Sequence, residues 1–301
     1  MLSIMPVMRL QRTIKREVTF QGIGLHTGKH TAVKLKPAPR DTGIVFYRSD
    51  RDAIIKAGLN AVIDTAFATT LGYDGVKIRT VEHLLAAAAG LGIDNLFVDV
   101  SGPEIPILDG SSTELVGHLV DAGIAKQSKK ISYLKIIRPI AYEDAHSKIM
   151  ALPYEGRAIT YHMSFNHKVL GNQDLSIEFD EVSFAREIAP ARTFGFLKDV
   201  ETLRANGLAK GGSLDNAIIV DDEGVLNTSG LRFHDEFVRH KVLDAVGDLS
   251  LIGIPIEGHI IMQKSGHTAN VNFLRKLLLS ADSYRVVSEI DQTSHQVLNY
   301  S

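Results

Sequence analysis

The chain spells one order of elements twice. Strand-like runs lead to a helix that carries a histidine, then to one more strand and a second helix, on both sides of the charged stretch Lys126-Gln127-Ser128-Lys129-Lys130. In the first half the β-rich runs are Thr13–Phe20, Thr31–Leu35, Gly43–Tyr47 and Ala53–Ile63, punctuated by Gly22-Ile23-Gly24-Leu25-His26-Thr27-Gly28. Thr80 is placed to cap a helix over Val81–Leu91, Asn95–Val100 reads as a strand, and Ser112 opens a helix that Gly123 stops. In the second half Ser132–Arg138, Ser147–Leu152, Ala158–Phe165 and Leu175–Phe179 read as strands. A helix near Lys198–Ala205, a turn at Gly211-Gly212 and a strand Asn216–Val220 follow, and helices over Asp235–Ile252 and His267–Leu279 bracket a strand at Gly258–Gln263. Strands mixed with paired helices, without strict alternation, predict an α+β fold. Aligning Val81-Glu82-His83 with Val238-Arg239-His240 gives four identities in ten positions, too few to decide between a duplicated unit and two unrelated apolar helices. A duplication predicts two domains, residues 1–126 and 131–301, with the two histidine helices facing one another. The charged stretch between them reads as a linker, and the polar tail from Ala281 as loosely held.

The 301 residues include no cysteine, which removes disulfides, thiolate metal sites and a cysteine nucleophile together. Any metal must be held by nitrogen and oxygen, and twelve histidines make that available. A formal net charge of −2 argues against a nucleic-acid partner. The longest apolar run, Leu84–Ile93, is half the ~20 residues of a membrane-spanning helix, and Met1–Met8 lacks the basic region and cleavage site of a signal peptide. These features predict a cytoplasmic protein without a transmembrane segment.

The densest polar cluster is Arg239-His240-Lys241-Val242-Leu243-Asp244-Ala245-Val246-Gly247-Asp248. His240 and Asp244 are four apart, so an imidazole and a carboxylate share one helix face and can chelate one cation, with Asp248 a turn further on. A bare His-x-x-x-Asp is more often a solvated stripe, but here Val238, Val242, Leu243, Ala245, Val246 and Leu249 leave little room for one. Glu82 and His83 are adjacent polar residues at the front of an otherwise apolar helix. Read alone they fit a helix start, and read with His240 and Asp244 they fit a two-nitrogen, one-oxygen site with an open position. Lys264-Ser265-Gly266-His267 turns a strand into a helix, where the dipole disfavours an imidazolium unless a carboxylate such as Asp248 lies near. Ala191-Arg192-Thr193-Phe194-Gly195-Phe196 sets a hydroxyl beside two aromatics, which alone suits a buried hairpin corner.

Taken together, these stretches, with Ile105–Ser112 and the Gly22–Gly28 signature, resemble the UDP-3-O-acyl-N-acetylglucosamine deacetylase family, from about Gln11 to about Leu279. The resemblance implies two α+β domains of similar topology, each a sheet packed on helices, with the active site between them. It implies a zinc ion on His83, His240 and Asp244, with Glu82 as general base and His267, oriented by Asp248, as cationic acid or oxyanion stabiliser. Thr193 would donate to the oxyanion and Lys241 would bind substrate. Phe194, Phe196, Leu197, Ala209, Gly212 and Ser213 would wrap the acyl chain, in an insert near 190–215. The implied reaction removes the N-acetyl group of a UDP-linked, 3-O-acylated amino sugar in lipid A biosynthesis of Gram-negative bacteria. It would run near the inner-membrane surface, on an enzyme expected to be monomeric. One departure stands out: where many members carry a cysteine, this chain has Ala68. Two rivals stand beside this reading. A non-catalytic binding protein on the same scaffold would need no metal, and a zinc peptidase would need a His-Glu-x-x-His that the chain lacks.

Overall fold

In a computed structural model, residues 9–288 are described; Met1–Met8 and the end of the polar tail, residues 289–301, lie outside the described residues. The two halves repeat one strand arrangement. In the first, a five-stranded sheet runs in the order Val18–Ile23, His30–Pro37, Leu96–Val100, Ile44–Arg48, Ala53–Lys56. In the second, the corresponding order is Ile140–Glu143, Lys148–Leu152, Ile256–Gln263, Arg157–Ser164, Asn172–Glu178. Among these five strands of each half the pairing is antiparallel except at one equivalent place, where Ile44–Arg48 pairs in parallel with Leu96–Val100 and Arg157–Ser164 with Ile256–Gln263. A parallel pair needs a crossover between its strands. In the first half that crossover contains helix α1 (Glu82–Gly90), and helix α2 (Thr113–Asp121) comes after it. In the second it contains a turn α3 (Glu181–Ser183), helix α4 (Leu197–Ala205) and helix α5 (Glu236–Leu249), and α6 (His267–Leu279) follows. The α+β expectation and the repeated order therefore agree with the observed topology.

The helices α1 and α5 pack against each other and are buried almost all round. Only Ala89 of α1, and Arg239 and Lys241 of α5, keep appreciable exposure. Their approach is close enough that a Cβ on Gly247 would sit 2.1 Å from the carbonyl oxygen of Glu82. A side chain at Gly247 would drive the two helices apart.

Several local readings change. The stretch Lys126–Lys130 is no free linker: it forms most of the strand Ile124–Lys130, antiparallel to Leu10–Ile14. Its charges suit an edge strand as well as a loop. The run Thr13–Phe20 is broken by a bend between Leu10–Ile14 and Val18–Ile23, and Ala53–Ile63 is divided by a 3₁₀ turn at Leu59–Ala61. Part of the tail is held, because Tyr284–Val287 adds to the edge of the second sheet beside Tyr133–Ile136. Thr80 does not cap α1. Val81 holds that position, and Thr80 has a left-handed backbone (φ 57°) and donates its hydroxyl to Glu104 at 2.9 Å. Ala191–Phe196 is not a hairpin corner either, since Phe194–Phe196 pairs in parallel with Ile218–Val220 and α4 crosses between them.

Candidate metal centre and active site

His83 and Glu82 leave the first turn of α1, and His240 and Asp244 leave one face of α5, so the packing of two helices assembles the cluster. Asp244 Oδ1 lies 3.3 Å from His240 Nε2 and 3.7 Å from His83 Nε2. Ligand-type atoms of these three buried residues lie within 4.8 Å of one another, and no other metal-binding group occurs among the described residues. The Nδ1 of His240 sits 3.0 Å from the carbonyl oxygen of Ala191. A carbonyl only accepts, so Nδ1 carries the proton and Nε2 turns its lone pair to the cluster. Metal–ligand bonds of ~2.0–2.2 Å at tetrahedral angles separate ligand atoms by about 3.3–3.6 Å, and the two contacts to Asp244, at 3.3 and 3.7 Å, lie close to that spacing. Burial drives the His240 pKa down to about 4, despite Asp244, so the imidazole is neutral and ready to ligate. Burial works against the Asp244 carboxylate, but His240 and Lys241 outweigh it and hold its pKa well below the usual range. The donor set fits a divalent ion with a position left open.

Around this triad stand groups that move or hold protons. Burial raises the Glu82 carboxyl to about 7, against the pull of His267 and His83. Its Oε2 accepts the Thr69 amide at 3.0 Å, and Oε1 is 3.9 Å from His267 Nε2. His267 opens α6 after Gly266 and sets Nδ1 2.8 Å from Asp248 Oδ2. Burial opposes an imidazolium there, but Asp248 prevails and lifts the His267 pKa to about 10. Asp248 is itself fixed, by the Thr69 hydroxyl at 2.6 Å and the Asn270 amide at 2.9 Å. Lys241 donates to Asp244 Oδ2 at 2.8 Å and lies 5.7 Å from the centre of the Phe194 ring. Burial disfavours its ammonium, yet Asp244 raises its pKa on balance.

Thr193 stands two residues beyond Ala191, the carbonyl partner of His240, with its amide on Gly110 and its carbonyl on Ile218, both at 2.8 Å. Phe194 packs edge-on to His240 and Phe237, and Phe196 meets Phe165 and His167. Leu197 begins α4 and is exposed. Ala209, Gly212 and Ser213 lie in the loop after α4. That loop docks on the first half, through Lys210 to the His26 carbonyl (3.2 Å) and Gly211 to that of Leu25 (3.0 Å). No hydrogen bond joins Leu197, Ala209, Gly212 or Ser213 to the triad among the described residues.

Four further residues support the site in roles that the sequence pattern does not give them. Glu104 accepts the amides of His26 (2.8 Å) and Thr27 (2.7 Å) as well as the Thr80 hydroxyl, which pins the Gly24–Gly28 turn beside α1. Ser112 holds the first position before α2, but its hydroxyl donates to the His83 carbonyl at 2.9 Å rather than capping. Thr69 braces Glu82 and Asp248 at once. Asn270 alone had a readable signal, being one turn from His267 on the same helix.

Residues 11–279 match the family described as UDP-3-O-acyl N-acetylglycosamine deacetylase. The chain belongs to this family. A protein of Thermodesulfovibrio yellowstonii named UDP-3-O-acyl-N-acetylglucosamine deacetylase is 58% identical over 90% of this chain and 92% of its own length. Similarly named proteins of Oleidesulfovibrio alaskensis (48% identical, 95% and 94% covered) and Myxococcus xanthus (46%, 92% and 89%) are also similar. The position of Ala68 is buried and directly precedes Thr69, so the departure falls beside the residue that braces Glu82 and Asp248.

Proposed function

We propose that the chain hydrolyses the N-acetyl amide of UDP-3-O-acyl-N-acetylglucosamine, releasing acetate and a UDP-linked, 3-O-acylated glucosamine for lipid A biosynthesis. The observation that carries this reading is a buried His-His-Asp triad beside a carboxyl of raised pKa, Glu82, which lies 3.9 Å from a cationic histidine, His267. We assign the ion as zinc, held by His83, His240 and Asp244; when bound it polarises the acetamide carbonyl and acidifies the attacking water. Glu82 takes the proton from that water, and a cation in the triad favours the carboxylate it needs. His267, held protonated by Asp248, meets the charge that develops on the carbonyl oxygen, and Thr193 adds a hydroxyl. The departing amine draws its proton from Glu82 or His267, the two groups able to hold one at neutral pH. Lys241 binds substrate beside Phe194. Phe196, Leu197, Ala209, Gly212 and Ser213 line the path of the acyl chain, and each covered methylene is worth ~0.8 kcal/mol.

We also place the boundary between the two duplicated domains near residues 126–131. We assign the reaction to the cytoplasm, near the inner-membrane surface. Among the described residues no helix is long and apolar enough to cross a membrane. The monomer is the form we expect to act.

The test is metal analysis of the purified protein with acetate release from the UDP-sugar. About one zinc per chain, activity lost on chelation and regained with zinc, and little metal in His240→Ala are expected. Full zinc occupancy in a His83→Ala, His240→Ala double variant overturns the ligand assignment. An intact zinc content with no acetate release overturns the reaction.

A further inference from the structure

The same two helices that carry the triad at one end border a second recess at the other. It is a cleft of about 890 Å³, within the ~300–1,000 Å³ range of small-molecule sites. Its walls come from both halves of the chain, with Ile55, Leu85 and Ala88 on one side and Phe179, Leu249 and Ile260 on the other. No residue assigned above to the metal centre or the acyl path lines it.

One of its lining groups is an unsatisfied cation. The Arg157 guanidinium lies over the Phe179 ring, 5.4 Å from its centre, and makes no hydrogen bond or ion pair among the described residues. Burial, with Arg9 close by, brings its pKa down to about 10, which leaves it charged at neutral pH. The carboxylates at the cleft are already engaged. Asp94 takes a two-pronged contact from Arg9 at 2.7 and 2.8 Å, and Asp41 accepts from Lys129 and from Gln11, both at 2.9 Å. Glu181, the other carboxylate near enough to influence Arg157, is paired with Arg12. Arg157 is half-buried, and a guanidinium with no partner of its own leaves its N–H groups free to take an anion. Among the described residues none pairs with Arg157, and apolar side chains such as Ile159, Phe179 and Ile254 line the same cleft.

We propose that this cleft is a binding site for a single-chain amphiphile with an anionic head, the head on Arg157 and the chain between α1 and α5. Carboxylate and phosphate heads share that chemistry, since a guanidinium pairs with either through two parallel hydrogen bonds. Because its walls come from both halves, an occupied cleft also ties the halves together. Binding to the folded state alone raises the melting temperature as ligand is added.

The test uses the zinc-loaded full chain with dodecanoate, dodecyl phosphate and dodecanol, each below its micelle concentration, followed by calorimetry and by thermal unfolding. The two anionic probes should bind at one site more in the parent than in Arg157→Gln, and dodecanol at least ~10-fold more weakly than either at that site. Arg157→Lys, which keeps the charge, should keep the site. Ala89→Leu, which narrows the cleft and leaves Arg157 in place, should weaken binding too, so a poorly folding Arg157→Gln does not decide the matter. A preference between the anions identifies the head as carboxylate or phosphate. The same stoichiometry in the parent and Arg157→Gln overturns the site, as does equal binding of dodecanol. Failure of the full chain to bind either anion overturns it as well.

Discussion

The helix pairs α1–α2 and α5–α6 hold equivalent places in the two halves, yet one pair carries most of the polar side chains of the cluster. After Glu82 and His83, α1 is Leu, Ala and Gly to its end. In contrast, α5 keeps His240, Lys241, Asp244 and Asp248 along its length. The second helices differ in the same direction. Ser112, at the start of α2, reaches back to the His83 carbonyl and fixes backbone. His267, at the start of α6, reaches back to Asp248 and becomes a fixed cation. Repetition of the fold thus supplied two matching frames, and the polar groups were distributed unevenly between them. In the proposed roles one frame holds a base and one ligand in place, while the other presents two ligands, a cation and the carboxylate that tunes it.

The sharpest way to break this division is Glu82→Gln. It should lower turnover by ~10²–10⁴-fold while zinc stays bound, because base catalysis goes and the ligands remain. A loss of metal together with activity would make Glu82 part of the metal site rather than its base. Next comes the tuned cation. His267 has its pKa raised above the ordinary value, so its contribution is fully present below about pH 6.5 and is lost as pH rises through about 10. Asp248→Asn should therefore move the alkaline limb of the pH–rate profile towards pH 6.5, and His267→Gln should flatten that limb while the acid limb persists. An alkaline limb unchanged in His267→Gln would hand the cationic role to Lys241.

The contact between the frames is tested by Gly247→Ala. The new methyl meets the Glu82 carbonyl, so a destabilisation of ~1–3 kcal/mol is expected in chemical denaturation, with weakened zinc binding. A variant as stable as the parent would show that the helices can separate freely. The smallest effect belongs to Ser112→Ala, which removes one backbone-directed hydrogen bond and should cost about 0.5–1.5 kcal/mol of stability and no more than ~10-fold in activity.

What could be read from the sequence depended on how far apart the interacting residues stand. The helix His267–Leu279 has the predicted bounds, and the one-turn spacing of His240 and Asp244 does put both on the cluster, because those patterns are local. Thr80 was misread because Glu104, twenty-four residues away, takes its hydroxyl before the helix can. The strand at Lys126–Lys130 was missed because its partner begins at Leu10, and no periodicity records such a pairing. Thr69 had no signal at all, since its carboxylate partners lie 13 and 179 residues away. The resemblance carried His83, Glu82 and His267 into one site where spacing alone left each with an ordinary explanation.

The pairing of Leu10–Ile14 with Ile124–Lys130 brings the beginning and end of the first half to within one strand spacing, ~4.8 Å. A segment whose ends meet in this way is topologically a ring with one cut. Such a ring can be followed by a second copy of itself without any spacer, because the chain leaves where it entered. It can also be recut at an exposed turn such as Asp74-Gly75, where a joined pair of old ends spans almost nothing. In this chain the exit point lies beside the entry strand, so the second half starts from the place where the first began.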